Sequence, residues 1–491
     1  MLGVRKFSET AGGPSSRNLS ISMAILLPVV ILSALLFAAM PSEPYALLPL
    51  IGFTVWRFFP QLGANADQKF LLGFLVVCFL IDDISYGPWG AIDSVTEAAG
   101  QLLFRSFGIN GMEACLIAFT FFIAITTRKE DKRQWNKLKL PQLLLIASVI
   151  LIPALLAALW GMVTGGTLTT ALIQIRYLYL MPLWAFVGFA VIRDKSYFER
   201  IFFWLTVTVV LKSMQALFIW VTNRAYFAQY EYLYEHFFSA YATTSVFLMA
   251  YYFYKHKALH MRLLNGFGIV VTVAALALND RRTSYAAVIF ALISLLFLLP
   301  PALHQRYRRM LIVFGLCFAT FSVVTWPLPI GTGAVIRSLQ DDPTKGPSYR
   351  DLENGNIMRE VSRNPLTGMG YGHEFDEFYP MPSVAAVYPR YKMIPHNVFL
   401  ATWCYGGPLT MAGLSLYFIF LFSTAGRLVS AEGMQGLRFV GVLCLVYFMQ
   451  YFSYVFGDLG LQVNRLELLG GLFIGAAFRL LSQRQLENRL W

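Results

Sequence analysis

The stretch Leu143-Leu144-Leu145-Ile146-Ala147-Ser148-Val149-Ile150-Leu151-Ile152-Pro153-Ala154-Leu155-Leu156-Ala157-Ala158-Leu159-Trp160 runs for eighteen residues without a charge. At 1.5 Å per residue, a helix of that length covers about 27 Å, close to the hydrocarbon thickness of a bilayer. Just before it stand Arg128-Lys129-Glu130-Asp131-Lys132-Arg133, then Lys137 and Lys139. A basic cluster abutting an uncharged run is the pattern of a membrane span anchored on its cytoplasmic side.

The rest of the chain repeats that pattern. Hydrophobic residues make up 57% of 491 and charged residues only 13%, about half the share in a soluble domain. Disordered, coiled-coil and disulfide-scaffold classes are excluded on composition. Five cysteines lie in or beside apolar runs, with no Cys-x-x-Cys pair, and read as small hydrophobes. Span-length apolar segments fall at 19–40, 45–59, 69–84, 110–127, 141–162, 171–192, 200–221, 238–254, 264–280, 284–302, 310–330, 397–425, 438–457 and 460–480. The expected fold is therefore an all-α polytopic integral membrane protein of about fourteen transmembrane helices. With the N-terminus inside, most of the 39 Lys+Arg fall in inner segments and most of the 27 Asp+Glu at outer ones. The net charge of +12 thus needs no nucleic-acid partner. The chain divides into a cytoplasmic tail (1–18), eleven spans (19–330), a large outer loop (331–396), three spans (397–480) and a cytoplasmic tail (481–491). A segment at 85–109 reads as re-entrant or interfacial, and a second outer loop at 222–237 is rich in Tyr.

Four features carry chemistry. Arg176 and Lys212 lie inside spans, where an unpaired charge is costly. For Arg176, snorkelling to the interface is the plain alternative; Lys212 is expected to face a hydrated cavity or a carboxylate. Asn279-Asp280-Arg281-Arg282-Thr283-Ser284-Tyr285 forms an outer turn, with two adjacent arginines where positive charge is normally depleted. Guanidinium forks suit phosphate oxygens, and Thr283 and Ser284 can cap the following helix. In the large loop, 356–364 reads as a short helix with Ile357, Met358 and Val361 on one face, stopped by Asn364-Pro365. Leu366-Thr367-Gly368-Met369-Gly370-Tyr371-Gly372-His373 follows; without a strand before it, this is not a dinucleotide fingerprint. Its glycines allow a backbone turn close to substrate or membrane. The loop closes with His396-Asn397-Val398-Phe399-Leu400 and then Gly406-Gly407-Pro408. Asn397 is placed to cap the next helix, and a neutral imidazole at His396 can act as a general base.

These motifs together resemble the superfamily of O-antigen ligases and repeat-unit polymerases, most closely over 264–420. The resemblance implies a C-type membrane glycosyltransferase fold. It also implies transfer of a glycan from a polyprenyl pyrophosphate to an acceptor sugar hydroxyl or lipid core, at the outer face of a bacterial inner membrane. It implies that Arg281 or Arg282 engages the pyrophosphate, that Arg176 is the membrane arginine of many relatives, and that His396 acts at the acceptor. Gly370, Tyr371, Asn397 and Lys212 are expected as further substrate contacts, with Tyr379 and Tyr388 offering rings to sugars. Pyrophosphate is a good leaving group, so no cofactor and no metal are expected. The expected partners are the lipid-linked donor, the acceptor, the bilayer and a chain-length regulator.

Two other readings stay open on sequence. Asp82-Asp83, with Asp93 and Glu97 following, could bind a divalent cation in a metal-dependent C-type glycosyltransferase. A transporter or flippase for lipid-linked oligosaccharide also suits many spans with scattered charges, although no matched halves with broken helices are evident. Repeat-unit polymerisation and ligation of a finished glycan are not separated, with a slight lean to polymerisation from the number of spans.

Overall fold

In the computed structural model, residues 66–80, 105–106, 109–126, 129–222, 238–279, 282–301, 305, 309, 348–382, 391–431, 435–457 and 464–487 are described. The spans expected at 19–40, 45–59 and 310–330 lie outside them, as do most of 85–109 and the Tyr-rich loop. The described elements are α1 (Ala66–Leu80), a two-residue antiparallel ladder of β1 (Arg105–Ser106) and β2 (Ile109–Asn110), α2 (Gly111–Thr126), α3 (Lys129–Lys137), α4 (Leu140–Ser148), α5 (Leu151–Val163), α6 (Leu168–Gln174) and α7 (Arg176–Val191). They continue with α8 (Lys195–Thr222), α9 (Phe238–Lys255), α10 (Leu259–Leu278), α11 (Arg282–Leu298), α12 (Tyr349–Arg363), α13 (Val398–Val429), α14 (Gln435–Gly457) and α15 (Asn464–Glu487). Apart from the small ladder the described chain is helical. Among the described residues, six helical runs are long and apolar enough to cross a membrane, with α4 and α5 counted together as Leu140–Val163, or seven if the bent pair α6–α7 is one span. The others among these helices are shorter or less apolar.

The run expected at 141–162 is α4 followed by α5 as one span, with helical backbone at Val149 and Ile150 between them and Lys139 at φ 62° before Pro141. One expected span among the described residues has an internal break. The run expected at 171–192 bends by 49° at Ile175, between α6 and α7. The last helix continues to Glu487, beyond the boundary expected at 480.

α7 and α15 form the axis of the bundle. Lipid offers no hydrophobic drive between helices, so tight association depends on close backbone approach. The sequence provides small residues for it. A Cβ on Gly475 would stand 2.1 Å from the Ala185 carbonyl oxygen, and one on Gly188 2.2 Å from that of Leu472. Gly471 lies equally close to Trp184. Toward the other end of α7, the buried Arg479 donates from Nη1 to the Phe189 carbonyl at 2.7 Å, satisfying a helix C-terminal acceptor. α13 runs 32 residues, longer than a bilayer needs, and kinks at Gly407 (φ 71°) before Pro408.

The contacts sort the helix ends into two sets. At one end Lys139 donates to Gln485 at 3.1 Å, Gln483 donates to the Arg193 carbonyl, and Arg193 pairs with Asp67. α3, Lys255, Arg427 and Arg438 belong to this basic end by chain direction. α3 buries Trp135, and Leu138 is buried just beyond its end, while most of the other described side chains of α3 are exposed, as an anchor at an interface requires. The opposite end carries the C-terminus of α5 and the N-termini of α7, α11 and α13.

Gly475→Val is expected to force α7 and α15 apart and to destabilise the protein by about 1–3 kcal/mol, the usual effect of overpacking. A lower unfolding temperature in detergent would register it. Gly73→Ala, which meets open space in the interior of α1, should not lower that temperature and should raise it slightly.

Candidate functional site

The large loop begins its described part with α12, which starts at Tyr349 and not at Asn356 as expected. Ser348 and Asp351 form a reciprocal capping box, with Ser348 accepting from the Asp351 amide. The Ser348 hydrogen bonds hold the Asp351 carboxyl below its ordinary range. Ile357 and Val361 face inward as read from the sequence, but Met358 points outward and is 46% exposed. The inward stripe is completed by Glu353, Asn356 and Glu360, and these polar residues hid the helix from a hydrophobic pattern.

Glu353 is fully buried and is held twice by one residue. Its Oε2 accepts the His396 backbone N–H at 3.1 Å, and both carboxylate oxygens stand 3.1 Å from His396 Nδ1. An ionised carboxylate has only acceptors, so Nδ1 must carry the hydrogen. In the neutral ring the lone pair then belongs to Nε2. The Tyr349 ring packs edge-on against the imidazole at 5.8 Å between centroids. Burial, then the Glu353 charge, pushes the Tyr349 phenol well above its ordinary range. One residue further, Asn397 caps α13 as expected, accepting the Leu400 amide at 3.1 Å.

The Gly-x-Gly-x-Gly segment is threaded between two spans. Gly368, Gly370 and Gly372 all have positive φ. A Cβ on Gly370 would lie 2.4 Å from Gly161 Cα in α5, and one on Gly161 would lie 1.9 Å from the Tyr371 carbonyl oxygen. Met369 and Gly370 donate to the carbonyls of Cys404 and Tyr405 in α13, while Tyr371 donates to Ala157 in α5. Gly370 and Tyr371, expected as substrate contacts, are thus covered: Tyr371 is 1% exposed. The hydroxyl of His373's neighbour across the loop, Thr164, lies 2.9 Å from His373 Nε2.

Gln174 ties this loop to the break before α7. Its side chain accepts from the Gly372 amide at 2.7 Å and donates to the His373 and Met393 carbonyls. Arg176 follows as the first residue of α7 and is fully buried, so it does not snorkel. Tyr177 bonds Thr402 of α13 at 3.0 Å. That pair brings the N-termini of α7 and α13, and hence Arg176 and His396, to the same end of the bundle. Buried Glu467 at the start of α15 lies within electrostatic reach of the Tyr177, Tyr417, Tyr447 and Tyr451 hydroxyls.

α11 arrives at this end too. Arg282 opens it, but its side chain, and Asp280 and Arg281 altogether, lie outside the described residues. Ser284 does not cap α11, because the helix has already begun; its Oγ pairs with Tyr454 Oη at 2.9 Å. Gln450 also donates to the Ser284 carbonyl. Thr283 faces Gly457 at the end of α14, and the Gly457 carbonyl accepts from Arg350 of α12. A continuous set of contacts therefore runs from the head of α11 through α14 and α12 to Glu353 and His396. Lys212 is buried between α8 and α9, with its Nζ 5.5 Å from the Phe238 ring centroid. Asp82, Asp83 and Tyr388 lie outside the described residues.

Glu353, Gln174, Arg350 and Glu467 were not singled out on sequence. A signal for Glu353 existed, since it continues the Ile357 and Val361 stripe at a spacing of four, an acid in a core position.

Gly370→Val is expected to free the loop from α5. Limited proteolysis should then cut within residues 348–382, where the wild type resists, while the bundle fragments survive.

Residues 267–418 match the family model described as O-Antigen ligase. The resemblance read from the sequence is thereby supported over that stretch. No curated protein matches the chain.

Proposed function

We propose that the protein is an inverting membrane glycosyltransferase that transfers a polyprenyl-pyrophosphate-linked glycan to an acceptor sugar hydroxyl, in repeat-unit polymerisation or ligation. The observation that carries this reading is the buried Glu353 carboxylate on His396, at the bundle end that also holds Arg176 and the head of α11.

The acceptor oxygen attacks the anomeric carbon from the face opposite the leaving group. The bond from that carbon to the pyrophosphate oxygen breaks, and the pyrophosphate departs with the electron pair. The hydroxyl proton passes to His396 Nε2. Glu353 fixes the ring by its Nδ1 and stabilises the imidazolium as it forms, the role a carboxylate plays behind a catalytic histidine elsewhere. General-base assistance contributes about 10²–10⁴-fold. Arg281 and Arg282 receive the charge gathering on the pyrophosphate, the buried Arg176 adds positive potential from within the bundle, and the amides at the head of α11 add to that field. The clamped loop, including the covered Gly370 and Tyr371, excludes water that would otherwise hydrolyse the donor. Asn397 positions His396 by capping the helix, and Lys212 adds positive potential from within the bundle. The cycle runs at the outer face of the inner membrane and calls on neither metal nor nucleotide.

His396→Ala is expected to abolish transfer while membrane insertion is kept, with a lower unfolding temperature because the buried Glu353 carboxylate loses its partner; adding Glu353→Gln should recover stability without recovering transfer. Glu353→Gln should lower kcat by about 10²-fold, in line with the loss of a group that orients a base. The assay uses purified protein with lipid-linked donor, and product formed by His396→Ala at the wild-type rate would remove the base role. A transporter would leave the glycan linkage unchanged in the same assay.

Replacing Arg281 and Arg282 together with Ala should raise the donor KM severalfold. An unchanged donor dependence would take the pair out of the pyrophosphate site.

A further inference from the structure

The outward face of α12 carries a groove of about 530 Å³, lined by Gly355, Met358, Arg359, Ser362, Arg363 and Tyr379. Most of this lining is exposed. Two guanidinium groups at i and i+4 bracket one ring: Arg359 lies 4.7 Å and Arg363 4.1 Å from the Phe378 centroid. Side chains so spaced on a helix repel one another when both are charged. Arg363 is offset by Glu360 at 3.4 Å and Asp376 at 3.5 Å. Arg359 has no carboxylate partner among the described residues. The aromatic wall is built as well. Asn356 holds the Tyr379 backbone from both sides, donating to its carbonyl at 2.9 Å and accepting its amide at 2.7 Å. Gly355 leaves room for the ring, since a Cβ there would stand 3.2 Å from Tyr379 Cδ2.

We infer that this groove is a binding subsite for an anionic saccharide, the acceptor chain, which it holds one helix diameter from His396. Guanidinium forks take carboxylate or phosphate oxygens, and the flat ring of Tyr379 takes the apolar face of a sugar. The groove and Glu353 lie on opposite faces of α12. A helix is about 10–12 Å across with its side chains, so the path around it is about 16–19 Å and roughly three or four sugar rings reach from one to the other. The assignment of the occupant as acceptor rests on the glycosyltransferase reading.

The test is binding to the full-length protein in phosphatidylcholine nanodiscs, with three probes: tetragalacturonate, a phosphorylated mannose oligosaccharide and uncharged maltotetraose. At least one acidic probe should bind more tightly than maltotetraose, and Arg359→Gln should weaken it about tenfold, with a marked salt dependence. Phe378→Ala, which unseats both guanidinium groups, should do the same. Acidic and neutral probes binding alike, or unchanged binding by Arg359→Gln, would overturn the subsite. Nanodiscs containing phosphatidylglycerol form a second arm. Competition by that lipid which Arg359→Gln abolishes, with no saccharide binding in either disc, would assign the groove to a headgroup and likewise overturn it. Saccharide binding without His396-dependent transfer would leave the subsite standing and remove the glycosyltransferase reading. Transfer with an acceptor KM unmoved by Arg359→Gln would do the reverse.

Discussion

The meeting of Gly161 with Gly370, backbone against backbone, is the constraint on which the site depends. A polar loop has no reason of its own to lie on a membrane span. Here the amides of Met369, Gly370 and Tyr371 replace water with carbonyls of α5 and α13, and the missing Cβ atoms of Gly370 and Gly161 let the backbones come close enough for that exchange. Once the loop is fastened on both sides, α12 is carried over the head of α13, and Glu353 is brought to His396. The apolar cluster of Ile357, Val361, Phe375 and Cys404 fills the space beneath.

The broken span α6–α7 answers the same physical demand from inside the bundle. Backbone groups exposed at a helix break in lipid are costly unless the protein satisfies them. Thr167 caps α6, and Gln174 meets one amide and two carbonyls of the loop on the other side of the gap. The break thereby becomes a joint between loop and bundle, and the fully buried Arg176 sits at it. A straight helix through residue 175 would carry neither the joint nor the arginine at its head.

The membrane class, most of the described helices and the polarity of their ends were legible from apolar run length and basic flanks, because both follow from local composition. The cap at Asn397 was legible for the same reason. Met358 was misassigned and the first turns of α12 were missed. The helix turns polar residues inward, and Glu353 and Asn356 find partners there that sequence spacing does not reveal. Ser284 was read as a cap because it follows a turn, yet its hydroxyl is taken by Tyr454, 170 residues away.

The sequence by itself determined that this chain lives in a bilayer, which way its charges bias it, and that His396, Arg176 and the double-arginine turn are unusual for their surroundings. Those are properties of short windows, set by transfer free energies. Only the tertiary structure decided that a glutamate 43 residues upstream holds the imidazole, that the glycines of the loop grip two helices, and that a basic aromatic groove lies on the far side of the same loop helix. Each of these is a contact between distant segments, and its geometry exists only after the helices have packed.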